Sequence, residues 1–229
     1  MTNSHAAIFT GGDPPHPAIR HVLATHSLII AADGGFEQAV STGHSPHVLI
    51  GDMDSVSARH LEEAEAFGIE VIRHPVDKDK TDTELALELA LERGKVMLTV
   101  VSGGGDRLDH ILGFLHSVAP LASEDVHVEL WIGAAHVEIV PAGCWRQIVV
   151  GEEMLASLIP LGGPARGVTT ERLKWELRGD TLEAYSSRGV SNVPLDHTFN
   201  VTLDEGVLAV IQPYFLNSTA LIPPTGGLN

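Results

Sequence analysis

The stretch His47-Val48-Leu49-Ile50-Gly51-Asp52-Met53-Asp54-Ser55 reads as a short apolar strand that runs out into two acids. An apolar run of this length with no polar alternation is the pattern of a strand buried on both faces, as in a parallel sheet. Carboxylates at the end of such a strand are candidate ligands for a hard cation such as Mg²⁺, which prefers oxygen donors. One Asp-x-Asp is weak on its own. Two further acidic clusters accompany it: Ala32-Asp33-Gly34-Gly35 before, and Asp77-Lys78-Asp79-Lys80-Thr81-Asp82 after.

Working outward, Ala6–Thr10, Leu28–Ala32, Glu70–Arg73, Val96–Val101 and Val126–Ile132 read as strands like the one at His47–Ile50, with helical spacing between them. That alternation predicts a mainly parallel sheet with helices on its faces, an α/β domain. Thr83–Arg93 is the clearest helix. Its four leucines leave a narrow stripe of Glu84, Glu88 and Glu92, so it is expected to be largely buried. In the helix after Gly105, Asp106 suits an N-cap, and Leu108, Ile111, Leu112 and Leu115 form the expected apolar stripe.

Beyond about Ala134 short β-like runs follow one another, at His136–Val140, Gln147–Val150, Leu155–Ile159, Arg166–Thr170, Leu173–Leu177, Thr181–Tyr185, Thr198–Leu203 and Val207–Ile211. Gly, Pro, Asn and Asp separate them, which predicts an all-β sandwich. The boundary falls between Gly133 and Gly143, giving an α/β domain over 1–135 and a β domain over 136–229. The tail Pro223-Pro224-Thr225-Gly226-Gly227 reads as a mobile end.

The polar clusters fall at one edge of the expected sheet. Gly11-Gly12-Asp13 follows the first strand, Asp33-Gly34-Gly35 the second, Asp52-Met53-Asp54 the third, Pro75 to Asp82 the fourth and Gly103-Gly104-Gly105-Asp106 the fifth. The carboxyl edge is where open α/β sheets bind ligands. Glycines there let backbone N–H groups approach phosphate without many basic side chains. Thr81-x-x-Glu84 also matches a capping box, so Thr81 is either a helix cap or a ligand contact, and Asp82 either sits on the helix dipole or binds a cation. Neither a Gly-x-Gly-x-x-Gly nor a Gly-x-x-x-x-Gly-Lys-Ser/Thr motif is present, which disfavours the common dinucleotide and P-loop sites.

The formal net charge of -16, from 30 acids and 14 bases, argues against a nucleic-acid partner. Cys144 is the sole cysteine, which excludes an intramolecular disulfide and fits a reducing cytoplasm. No apolar run approaches the roughly 20 residues of a membrane span, and Met1-Thr2-Asn3-Ser4-His5 lacks the features of a signal peptide. A cytoplasmic protein without membrane contact is expected.

Together, Ala-Asp-Gly-Gly at 32–35, Gly-Asp-Met-Asp-Ser at 51–55, Lys-Asp-Lys-Thr-Asp-Thr-Glu at 78–84 and Gly-Asp-Arg-Leu-Asp-His at 105–110 resemble the ordered motifs of the thiamine pyrophosphokinase family. In the β half, Gly167-Val168-Thr169-Thr170, Leu173-Lys174-Trp175 and Val190-Ser191-Asn192 resemble that family's thiamine-side motifs. The resemblance implies a homodimer that transfers pyrophosphate from ATP to thiamine, giving thiamine diphosphate and AMP. It implies that Asp33, Asp52, Asp54 and Asp82 hold Mg²⁺ and the triphosphate, with Asp52, Asp54 and Asp82 catalytic. Gly11, Gly12, Gly34, Lys78, Asp79, Thr81, Arg107, Asp109 and His110 would line the nucleotide side, with Asp33. Trp175, Ser191 and Asn192 would contact thiamine near the dimer interface, with Trp175 either stacked on its rings or simply a core residue.

Two positions depart from the family pattern. Asp106 stands where a second Gly of Gly-Gly-Arg is usual, and Arg172 where a Gly usually precedes Leu-Lys-Trp. The first bears on closure of the nucleotide loop, the second on the turn into Trp175. The alternatives are a pyrophosphokinase for another hydroxymethyl heterocycle such as a pterin, and a catalytically silent nucleotide-binding sensor.

Overall fold

A computed structural model describes residues 4–23, 28–105, 107–151 and 155–217. The chain divides into two units, residues 1–121 with 125–133, and residues 122–124 with 134–229.

The first unit alternates strands and helices: β1 (His5–Phe9), α1 (Ile19–Val22), β2 (Leu28–Ala32), α2 (Gly35–Ser41), β3 (Val48–Gly51), α3 (Ala58–Ala66), β4 (Glu70–Arg73), α4 (Asp82–Glu92), β5 (Met97–Ser102), α5 (Leu108–Val118) and β6 (His127–Ile132). Each of the six strands lies within one residue of its expected span. All pair in parallel, in the order β4-β3-β2-β1-β5-β6. Residues such as Ile8, Ile30, Leu49, Leu98 and Leu130 are fully buried, as strands covered on both faces require. The order reverses at β1, so the crevice at the carboxyl ends of β1 and β5 is the switch point where such sheets take ligands.

Helix α4 packs over β1, β2 and β3. Thr81 caps it in a full capping box: its hydroxyl accepts from the Glu84 N–H at 3.2 Å, and its own N–H donates to Glu84 Oε2 at 2.9 Å. The helix is less buried than its leucines suggest. Ala86, Leu87 and Ala90 are buried, whereas Leu85, Leu89 and Leu91 are half-buried. Small alanines let the helix lie close to the sheet along one line, leaving the outer leucines at its flanks. Helix α5 corrects the expected stripe more strongly, since Leu108 and Leu112 are exposed while Phe114 and Val118 are buried. Phe114 and Val118, four residues apart, take the core-facing line because the aromatic ring buries more apolar surface there than a leucine would. The expected Asp106 cap and the tail at 223–227 lie outside the described residues.

Among its described residues the second unit is all-β apart from a short 3₁₀ turn at Phe215–Asn217: β7 (Ala135–Pro141), β8 (Trp145–Val149), β9 (Ser157–Pro160), β10 (Ala165–Glu171), β11 (Arg178–Leu182), β12 (Thr198–Thr202) and β13 (Val207–Gln212). The strands β7-β13-β9 pair antiparallel, and β11-β10-β12-β8 form a second antiparallel sheet. Between them Val140, Leu158, Val168, Leu182, Phe199, Val201, Leu208 and Val210 make one core, so the unit is the expected β-sandwich.

The run Leu173–Leu177 is not a strand. Arg172 adopts a left-handed backbone (φ 64°) that ends β10, and beyond it Leu177 accepts the Thr170 N–H on its carbonyl at 3.0 Å and donates its own N–H to the Thr170 hydroxyl at 2.9 Å. Leu173 and Leu177 are buried while Lys174, Trp175 and Glu176 between them are exposed, so two apolar anchors hold down a loop.

Candidate active site

In the first unit the loops after β1, β2, β4 and β5 surround a cleft of about 610 Å³, lined by Gly11, Gly12, Asp33, Gly34, Lys78, Thr81, Asp82, Arg107, Asp109 and His110 among others. Its floor is acidic through Asp33 and Asp82, and Asp52, outside the lining itself, lies beside them. Asp33, Asp52 and Asp82 each offer a carboxylate oxygen, and these three atoms lie within 4.8 Å of one another. Three backbone elements make that approach possible. Asp33 follows β2 in a left-handed conformation (φ 46°), Asp52 follows β3, and Asp82 opens α4. Gly51 sits at their centre with φ 148°, and a Cβ there would stand 3.1 Å from Asp33 Cβ and from Asp82 Cγ and Oδ1. Gly35 does similar work behind Asp33, because a Cβ on it would meet the Phe9 carbonyl at 1.9 Å and push α2 off β1.

Burial pushes the Asp33 carboxyl above its ordinary value; the Ser55 hydroxyl and the Gly34 N–H offset this in part, and the charges of Asp54 and Asp82 add to it. Burial likewise pushes Asp82 up, and the Lys78 ammonium offsets only part of that effect. Asp52 goes the other way, held down first by the backbone N–H of Asp54, which donates to its Oδ1 at 3.1 Å, and then by Lys78. Lys78 Nζ lies 3.2 Å from Asp52 Oδ2 and 3.2 Å from Asp82 Oδ1. Burial pulls the ammonium down, but the two carboxylates outweigh it and raise its pKa.

Asp33 Oδ1 and Asp82 Oδ1 are buried and receive no hydrogen bond from the described residues; Lys78 is in ion-pair range of the latter but too oblique to be a hydrogen-bond donor. Orphaned carboxylate oxygens cost free energy unless a cation or donor meets them. An all-oxygen set with two such atoms fits Mg²⁺. Asp54, one residue beyond the bend at Met53, stays outside this trio; it is exposed and accepts from the Ser55 hydroxyl at 2.9 Å. Asp79 is exposed and does not line the cleft.

On the opposite wall Arg107 grips Asp109 through Nε at 2.9 Å and a terminal nitrogen at 2.7 Å, holding that carboxyl well below its usual range. His110 lines the same wall. The sequence reading missed Gln38, buried on α2, whose amide donates to the Gly12 carbonyl at 2.7 Å and so fixes the Gly11-Gly12 loop. Its signal was a polar side chain between Phe36 and Ala39 on the buried face of that helix.

The second unit holds a separate pocket of about 850 Å³, lined by Leu158, residues 173–178, residues 188–192 and Leu195. Trp175, Ser191 and Asn192 all line it, as expected from the motifs. The Trp175 ring is 56% exposed, so it is not a core residue, and the Lys174 ammonium lies 4.7 Å from its centroid. Ser191 adopts a left-handed backbone (φ 60°) and donates its N–H to Ser157 Oγ at 3.0 Å. All four non-glycine residues with positive φ among the described residues, Asp33, Met53, Arg172 and Ser191, belong to the two site regions.

An α/β unit with carboxylates clustered at its switch point, followed in the chain by a β-sandwich with its own aromatic pocket, defines a two-unit, two-substrate enzyme class. The family model "Thiamin pyrophosphokinase, catalytic domain" matches residues 19–130, and "Thiamin pyrophosphokinase, vitamin B1 binding domain" matches residues 148–208. Thiamine pyrophosphokinase of Bacillus subtilis is 24% identical over 187 residues, covering 82% of this chain and 87% of that protein. Thiamine pyrophosphokinase 2 of Arabidopsis thaliana is 25% identical over 221 residues, 86% of this chain and 82% of that one. The fold is similar to the crystal structure of the Bacillus subtilis protein, with a TM-score of 0.79 at 23% identity over 91% of this chain and 98% of that chain. It is also similar to thiamin pyrophosphokinase from Candida albicans, with a TM-score of 0.76 at 15% identity, covering 92% and 89% of the two chains.

The chain belongs to the thiamin pyrophosphokinase family. Its reaction is the ATP-dependent transfer of pyrophosphate to thiamine, and neither the pterin nor the silent-sensor alternative finds support.

Proposed function

We propose that the two pockets divide the reaction between them, with residues 1–135 as the ATP- and Mg²⁺-binding catalytic domain and 136–229 as the thiamine-binding domain. The observation that carries this reading is the trio of Asp33, Asp52 and Asp82, with two orphaned oxygens, at the carboxyl edge of the sheet. Those three residues would hold Mg²⁺, which when bound neutralises charge on the phosphates that change hands. Asp54, on the exposed side of the same turn, would reach the cation or the triphosphate from outside the trio. Backbone N–H groups of the Gly11-Gly12 and Gly34 turns would take phosphate oxygens, a role that suits a cleft with so few bases. Lys78, Thr81, Arg107, Asp109 and His110 line the same cleft and would position the nucleotide, whereas Asp79, outside the lining, would have no direct part.

Trp175 would stack on thiamine, whose cationic ring suits an exposed indole face already visited by the Lys174 ammonium. Ser191 would meet its polar edge. The chemistry itself is positioning: thiamine's hydroxyl is brought in line with the β-phosphorus while AMP leaves, and no side chain forms a covalent bond. A homodimer that brings thiamine near the dimer interface, working in the cytoplasm, completes the proposal; among the described residues no helix is long and apolar enough to cross a membrane. Incubation with ATP, thiamine and Mg²⁺ tests the assignment: AMP forms in step with thiamine diphosphate, and only with a divalent metal. ADP with thiamine monophosphate instead would place the attack at the wrong phosphorus and refute it.

A further inference from the structure

Asn192 lies in the wall of the second pocket, yet its side chain is already committed. Its Oδ1 accepts from the Trp175 N–H at 3.1 Å and from the Val193 N–H at 2.9 Å, and its Nδ2 donates to the Trp175 carbonyl at 2.8 Å. Its own main chain exchanges two bonds of 2.8 Å with Ala156. Both lone pairs of the amide oxygen are thereby used and a single N–H remains, on a residue only 6% exposed. Trp175 is the opposite case. Its ring stands open while its N–H and C=O, which sit in a loop without a strand partner, are both taken by this one side chain.

The neighbouring bonds repeat the arrangement. Lys174 donates its N–H to the Val193 carbonyl at 2.8 Å, and Leu195 donates to the Arg172 carbonyl at 2.9 Å. The loop that carries Trp175 is thus stitched to the 189–195 loop, with Asn192 as the bidentate stitch at the aromatic residue itself.

We propose that Asn192 is a positioning residue, which fixes the peptide of Trp175 so that the exposed indole is presented in one orientation, and that it does not bind thiamine through its own amide. A ring held in advance binds its partner without first losing rotational freedom, the general gain from preorganised sites. The inference rests on the reading of Trp175 as the thiamine platform.

The test uses the full chain with Trp131→Phe and Trp145→Phe, so that Trp175 alone reports fluorescence. In the thiamine-free protein Asn192→Ala should let the indole depolarise faster, and the dissociation constant for thiamine should rise about tenfold or more, with ATP affinity unchanged. Asn192→Asp keeps the oxygen acceptor but turns a second oxygen toward the Trp175 carbonyl, so it should give the same effects and serves where the alanine variant does not fold. Weakened thiamine binding with unaltered ring motion would mean direct contact by Asn192 and overturn the proposal. Unaltered thiamine affinity would overturn it as well. If Trp175→Ala leaves thiamine affinity unchanged, the failure lies in the platform reading instead.

Discussion

Lys78 Nζ lies 3.2 Å from Asp82 Oδ1, tying the loop after β4 to the first residue of α4. The same ammonium donates to Asp52 Oδ2 at 3.2 Å and to the Pro75 carbonyl at 3.0 Å, so two hydrogen bonds and the ion pair to Asp82 converge on it from three segments of chain. This half-buried bridge holds two carboxylates together that would otherwise repel. Lys78→Met, which keeps the stem and deletes the charge, should lower stability in the presence of a chelator by about 1–3 kcal/mol, between the exposed and buried limits for a broken pair. Urea denaturation measures it. An unchanged midpoint would show the bridge to be a solvent-screened pair of little weight.

Asp33 gives the opposite expectation. Burial raises its folded pKa above 3.8, so between that value and the raised one the native state holds more proton than the unfolded chain. Stability therefore falls as pH rises through that window, and the charged carboxylate is a net cost at neutral pH. Asp33→Asn should raise the melting temperature in chelator at neutral pH, by about 2–4 °C for each kcal/mol recovered. It should also flatten the decline in stability as pH rises above the ordinary carboxylate value, without abolishing it, since Asp82 shifts in the same direction. The variant should lose metal affinity. A melting temperature that falls at neutral pH would mean that the Ser55 and Gly34 hydrogen bonds outweigh desolvation.

Asp52→Asn separates chemistry from folding in the same cluster. It preserves the oxygen that accepts from the Asp54 N–H, so the turn should persist. The deleted charge should lower kcat by roughly a hundredfold or more, the scale for loss of an electrostatic contact made in the transition state. Asp54→Asn should also lower kcat, but with a smaller change in Mg²⁺ affinity, because Asp54 lies outside the trio. Metal titrations of kcat for both variants decide the matter; equal behaviour would remove the distinction between them.

The sheet edge was legible because five of the six strands of the first unit run into Gly or Asp within two residues, β4 leading instead into His74-Pro75, and the alternation of strands with helical segments placed Asp33, Asp52 and Asp82 at one edge. What could not be read was which acid turns inward. Asp52 and Asp54 are alternate residues in an extended reading, but Met53 takes φ 68° and buries its side chain, which sends the two carboxylates to different surroundings. In the second unit Leu173–Leu177 has the composition of a strand, and only the left-handed backbone at Arg172 makes it a loop. Arg172 stands where the family resemblance expects Gly, and it keeps a glycine-like conformation there, its side chain held 3.0 Å from Asn200 Oδ1. For α5 the apolar spacing fitted two faces, and packing chose the one with Phe114.

Trp175 carries the sharpest separation of binding from stability. Its ring is 56% exposed and outside the sandwich core formed by Leu173, Leu177 and their neighbours, so truncation removes little buried surface and leaves no cavity of the kind that costs a core several kcal/mol. Trp175→Ala should therefore melt within a few degrees of the parent protein. Thiamine binding should weaken by about 1–3 kcal/mol, the scale for loss of an aromatic contact at a binding site. ATP binds in the cleft of the other unit under this reading, and its affinity should hardly move. Separate titrations with thiamine and a non-hydrolysable ATP analogue, alongside thermal melting, measure all three quantities. Thiamine affinity equal to that of the parent protein would remove Trp175 from the site and leave the second pocket without its aromatic platform.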